Sequence, residues 1–100
     1  MKFITIGLVQ TKVSNNIALN VGKTVELIKQ AAKRGAKIIC LQELFQTHYF
    51  PQRRGEKKSK YAESIPGPTT ETIRKLAKKL GVVIIVPLFE RAKNGRYFNT

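Results

Sequence analysis

Residues 38–46 read IICLQELFQ. Residues 37–41 are short and apolar and read as a strand, and the run then meets a carboxylate, Glu43, followed at once by Leu44 and Phe45. A carboxylate set among apolar residues is costly unless it is paired or has chemical work to do. In open α/β sheets, ligands bind beyond the carboxyl ends of the strands, and Glu43 stands two residues past Leu41. Two readings fit: a catalytic carboxylate, or a strand-end acid paired with a nearby Lys or Arg. Spacing alone leans to the second.

Upstream, residues 2–10 hold Phe3, Ile4, Ile6, Leu8 and Val9, and read as a buried strand. Ser14, Asn15 and Asn16 are candidate N-caps. From Ile17 to Arg34, Ala18, Val21, Val25, Ile28 and Ala32 recur at helical steps and mark a core face, with Gly35 placed to end the helix. Downstream, residues 42–65 have no clean period, and a stretch of that kind is often functional. Gly67 or Thr69 caps a helix to Leu80 with core face Ile73, Leu76, Ala77 and Leu80, stopped by Gly81. Residues 82–86 read as a third buried strand that runs on to Arg91 despite Pro87. Asn94-Gly95 signals a hairpin, with residues 96–100 beginning the return strand. The order β-α-β-α-β plus the start of a hairpin predicts an α/β fold with a parallel sheet and right-handed crossovers. Because the chain stops inside that hairpin, residues 1–100 are expected to be an incomplete N-terminal part of one domain.

Nineteen Lys and Arg stand against six Glu and no Asp, for a net charge of +13. Such a balance favours polyanions, or it is simply spread over solvated faces. Arg53, Arg54, Lys57, Lys58 and Lys60 crowd one loop, but no aromatic residue interleaves with them as a base-stacking platform would require. Solvated surface is the favoured reading and nucleic-acid binding the lesser one. No apolar run approaches the roughly 20 residues that span a bilayer, and the short apolar start lacks a small-residue cleavage site, so no membrane partner is expected and a cytoplasmic location is the default. Cys40, the single cysteine, lies inside the strand and is expected to be buried and inert. His48 has no partner at metal-ligand spacing, so no metal site is expected. Gly22-Lys23-Thr24 lacks the earlier glycine of a P-loop.

The stretches "IGLVQTKVSNNIALNVGKTVELIKQAAKRGAKIICLQELF", "YFPQ", "AESIPGPTTETIRKLAKKLGVVIIVPLFER" and "YFNT" together resemble the N-terminal part of the nitrilase superfamily, the carbon–nitrogen hydrolases. Most members have Pro where Gln42 stands; Gln-Glu-Leu with Tyr-Phe-Pro-Gln is most similar to the N-carbamoylputrescine amidohydrolase branch. The resemblance implies an α-β-β-α sandwich and a Glu-Lys-Cys triad. Glu43 matches the glutamate, which acts as general base on a thiol whose ordinary pKa is about 8.5, while a lysine steadies the oxyanion. It places that lysine and cysteine beyond Thr100. Cys40 does not match the nucleophile, so this chain carries one member of three and is not expected to be active alone. No metal or organic cofactor is implied. The implied substrate is a small amide or carbamoyl amine of polyamine (putrescine) biosynthesis, and the complete protein is expected to be a homo-oligomer.

Tyr49 matches an aromatic position near the family's substrate pocket, or is a packed loop aromatic. Asn99 matches the Asn of the family's Asn-Ser/Thr pair and is read as structural. Half a sandwich would also expose an apolar sheet face. Two other readings stay open: a basic nucleic-acid-binding module, and a non-catalytic remnant or a subunit completed by another chain.

Overall fold

A computed structural model describes residues 2–55 and 57–100. Its centre is a parallel sheet of three strands in the order β1 (Ile6–Val9), β2 (Ile38–Leu41), β3 (Val83–Ile85). Helix α1 (Ile17–Lys33) connects β1 to β2, and α2 (Pro68–Leu80) precedes β3. Between β2 and α2 the chain makes two 3₁₀ turns, at Phe50–Gln52 and Lys58–Tyr61. A separate antiparallel ribbon comes last, β4 (Phe89–Arg91) with β5 (Tyr97–Asn99).

The helix ends follow local chemistry. Asn16 caps α1 through Oδ1, which accepts from the Leu19 amide at 3.0 Å. Pro68 fills the first position of α2, where its missing N–H costs nothing. Gly81 ends that helix at φ 66°, a left-handed conformation open to glycine. On the exposed side of α2, Arg74 hydrogen-bonds Glu71 and holds its carboxyl below the ordinary glutamate range.

Period-two alternation assigns the two faces of the sheet. Val9, Ile39 and Leu41 point to the helices and form a core with Ile28, Phe45, Ile73, Leu76 and Leu88. A methyl added at Gly7 would lie 3.1 Å from Ala31 Cβ and 3.2 Å from Ala36 Cβ, so β1 and α1 approach closely there. The other face is uncovered. The register lines up Ile6, Ile38 and Val83 in one row and Leu8, Cys40 and Ile85 in the next, and Leu8 is 80% exposed.

Several expectations need correcting. The first strand is buried on one face only, the third is no more than half-buried at Ile84 with Val83 and Ile85 exposed, and Phe3 and Ile4 lie before β1 and are exposed. Cys40 is half-exposed, because its phase puts it on the uncovered face. The third strand does not run on to Arg91: it ends at Ile85, and β4 begins a new sheet beyond Pro87, which lacks a ladder donor. On α1, Ala18 is exposed and the buried stripe is Asn20, Thr24 and Ile28. Hydrogen bonds from Asn20 set that rotation: its Nδ2 donates to Ser14 O at 2.8 Å and to Gln46 O at 2.9 Å.

This layering sets the expected cost of substitutions. Ile28→Ala removes fully buried atoms and is expected to cost about 2–5 kcal/mol in urea unfolding, whereas Leu8→Ala on the open face is expected to stay within about 0.5 kcal/mol. Thr24 Oγ1 is buried with no hydrogen-bond partner among the described residues. Thr24→Val keeps the shape and removes that hydroxyl, so the unfolding midpoint should rise; a lower midpoint would show that the hydroxyl is satisfied.

Candidate active site

Glu43 lies just past the carboxyl end of the central strand, in the turn that carries the chain away from the sheet. It is exposed, although apolar Leu44 and Phe45 follow it at once. The turn itself is tightly built. Leu44 adopts φ 51°, a left-handed conformation that a non-glycine residue takes at a cost of about 1–2 kcal/mol, and its side chain is buried, as is that of Phe45. These two buried anchors hold the bend and turn the Glu43 carboxylate outward.

Two side chains fix its surroundings. Asn99 Nδ2 donates to Glu43 Oε1 at 2.6 Å. Asn99 reaches this point because β5 pairs with β4 and because Leu88 and Thr100 exchange backbone hydrogen bonds of 2.6 and 2.8 Å just beyond it. On the other side, Gln42 Oε1 accepts from the Thr11 amide at 2.6 Å while Gln42 Nε2 donates to Thr11 O at 3.0 Å. The side-chain amide thus behaves as one more strand residue and ties the end of β2 to the chain leaving β1. Among the described residues, Glu43 Oε2 has no hydrogen-bond partner.

Below the turn lies a polar network. Gln46 Nε2 donates to Glu63 Oε2 at 2.9 Å, and the Thr69 amide donates to Glu63 Oε1 at 3.1 Å. The Thr69 hydroxyl stands 2.6 Å from Glu63 Oε2 and 2.9 Å from Gln46 Oε1. Glu63 therefore supplies an acceptor to an amide in the first turn of α2, where a carboxylate suits the helix dipole. Its backbone also binds the ribbon: Glu63 N donates to Phe89 O, and Arg91 N to Glu63 O. One residue joins the Glu43 turn, α2 and the hairpin that carries Asn99.

Of the residues singled out in the sequence, Glu43 and Asn99 are brought together and Tyr49 stands apart. Tyr49 is 45% exposed at the start of the first 3₁₀ turn. Its neighbour Phe50 is the packed aromatic, stacked on Tyr61 at 4.9 Å between ring centroids. Part of the basic loop lines a cleft of about 270 Å³ formed by Asn15, His48, Arg53, Lys60 and Tyr61. Gln42 and Glu63 were missed as site residues. The signal for Gln42 was an amide beside the carboxylate at a strand end; for Glu63 it was an acid a few residues before a helix start.

The carbon–nitrogen hydrolase family model matches residues 5–100, and the chain belongs to that family. It is 38% identical over 97 residues to an N-carbamoylputrescine amidase of Solanum lycopersicum, covering 96% of this chain and 32% of that protein. It is 37% identical over 99 residues to an omega-amidase of Xenopus laevis, covering 95% of this chain and 33% of that one. A crystal structure of a carbon–nitrogen hydrolase from Helicobacter pylori G27 superposes with a TM-score of 0.85 at 30% identity, over 96% of this chain and 33% of that chain. The chain spans about a third of the length of these relatives.

Glu63→Ala leaves Gln46 and Thr69 without their shared acceptor and is expected to destabilise the fold by about 1–3 kcal/mol. Urea unfolding of the variant checks this, and an unchanged midpoint would mean that the network is dispensable.

Proposed function

We propose that residues 1–100 form the N-terminal, general-base portion of a single thiol amidohydrolase domain, with Glu43 as its catalytic carboxylate. The observation that carries this reading is the position of Glu43. It lies exposed beyond the carboxyl end of the central parallel strand, with one carboxylate oxygen held by Asn99. Membership of the carbon–nitrogen hydrolase family supports it.

In the proposed chemistry the thiol and lysine come from outside residues 1–100. Glu43 takes the thiol proton as sulfur attacks the carbonyl carbon of the substrate. The lysine ammonium steadies the oxyanion that forms. The intermediate collapses, and Glu43 returns the proton to the departing ammonia. Water then attacks the remaining thioester while Glu43 accepts its proton, and as the carbon–sulfur bond breaks Glu43 returns that proton to the departing thiolate. For an N-carbamoyl amine, the product carbamic acid loses carbon dioxide and frees the amine.

The substrate proposed is an N-carbamoyl diamine of the carbamoylputrescine kind, which would place the enzyme in putrescine formation. Gln42-Glu43-Leu44 and Tyr49-Phe50-Pro51-Gln52 support that choice. The identities to an N-carbamoylputrescine amidase and to an omega-amidase differ by too little to decide it. Tyr49, exposed at the loop start, is proposed to contact this substrate. No helix among the described residues is long and apolar enough to cross a membrane. A cytoplasmic homo-oligomer is proposed for the complete protein.

The test is kinetic and uses the complete hydrolase domain. Glu43→Gln is expected to lower kcat by at least about 10²-fold while the circular dichroism spectrum stays native. Turnover at the wild-type rate would remove Glu43 from the mechanism. Comparing kcat/KM for N-carbamoylputrescine and for a simple ω-amide decides the substrate class.

A further inference from the structure

We infer that Gln42 and Asn99 are positioning residues for Glu43, and that Asn99, through its bond to one carboxylate oxygen, selects the other as the one that takes the proton. The inference rests on the reading of Glu43 as general base. A glutamate at an exposed turn has three rotatable bonds and, left alone, moves among staggered rotamers. Effective general-base catalysis requires one geometry, and a displacement of about 1 Å can cost 10²-fold in rate.

The structure constrains Glu43 at both its backbone and its carboxylate. Two hydrogen bonds between the Gln42 amide and the Thr11 backbone, at 2.6 and 3.0 Å, fix the residue before it. The buried side chain of Leu44, at φ 51°, fixes the residue after it. The carboxylate is then caught by Asn99 Nδ2. An ionised carboxylate only accepts, so the Asn99 atom facing it must be the nitrogen, and the bond is charge-assisted. Asn99 is itself held by the Leu88–Thr100 backbone pair, and Leu88 is 1% exposed in the core.

The consequence is an assignment of roles within one side chain. Oε1 is engaged by Asn99, and Oε2 is the oxygen presented to the thiol and later to water. Gln42 holds the base in place through the backbone, and Asn99 holds it through the carboxylate.

The first experiment uses the complete hydrolase domain and needs no activity. Side-chain ¹⁵N relaxation of Asn99 is expected to show an ordered amide, with S² near about 0.85, falling below about 0.6 in Glu43→Ala. The same fall is expected in Gln42→Ala. An Asn99 amide that is mobile in the wild type, or unmoved by Glu43→Ala, overturns the inference. The second experiment uses the complete domain. Asn99→Ala and Gln42→Ala are each expected to lower kcat by about 10²-fold with KM unchanged. Asn99→Asp, which sets a second carboxylate against Glu43, should do no better than Asn99→Ala. If Glu43→Gln abolishes turnover while Asn99→Ala and Gln42→Ala retain full kcat, the positioning role is wrong and the base stands. If Glu43→Gln retains turnover, the base reading itself has failed.

Discussion

The main sheet and the turn that carries Glu43 are placed by the pairing of β2 on both of its edges. Residues 38–41 hydrogen-bond in parallel to β1 on one side and to β3 on the other. Its inward residues Ile39 and Leu41 are buried beneath the helices. A strand held in this way ends at a defined point in space, and the turn at its carboxyl end inherits that precision. Glu43 sits in that turn, and the left-handed Leu44 with the buried Phe45 bends the chain so that the carboxylate stays at the surface. A residue on a free loop would have the same chemistry without the same placement.

The polar groups around the site connect elements that apolar packing leaves separate. The β4–β5 ribbon pairs with no strand of the main sheet. It is attached through the backbone of Glu63, through Leu88 in the core, and through Asn99 on Glu43. Gln46 and Thr69 meet at the Glu63 carboxylate, and Asn20 of α1 reaches the Gln46 carbonyl. Buried polar groups of this kind are costly if left unpaired and rigidifying when paired. Here they bring the hairpin, both helices and the β2 turn into one arrangement, which is what lets residue 99 serve residue 43.

Much of the fold was legible because it depends on local signals. The apolar run at 38–41, the steps of three and four in both helices, Gly81 and Asn94-Gly95 each act through their neighbours in sequence, and each predicted its element. The phase of Cys40 was legible too, but the face it points to was not. Which side of a sheet is covered depends on where helices pack, and that is a property of the whole chain. The same limit explains Ala18 and Asn20 on α1: periodicity counts apolar residues, while the observed rotation arises from the hydrogen bonds of a buried asparagine. Of the candidate site, the strand-end position marked Glu43 for attention but leaned towards a paired strand-end acid, and its reading as a base came from the family resemblance. Its partner Asn99 lies 56 residues away, and a contact at that separation leaves no trace in local pattern. Gln42 is nearest in sequence and was still missed, since its partner Thr11 is reached only through the parallel pairing of β1 with β2.

The central proposal is that Glu43 works with a lysine and a thiol from outside residues 1–100, next to a sheet whose apolar face is exposed. Native mass spectrometry of the protein purified from its source cells tests this most directly. The account predicts a species well above 11.3 kDa, either one longer polypeptide or a complex with a second chain that carries the lysine and the cysteine. A monodisperse 11.3 kDa monomer with nothing bound would contradict it, because the base would then have neither nucleophile nor oxyanion partner.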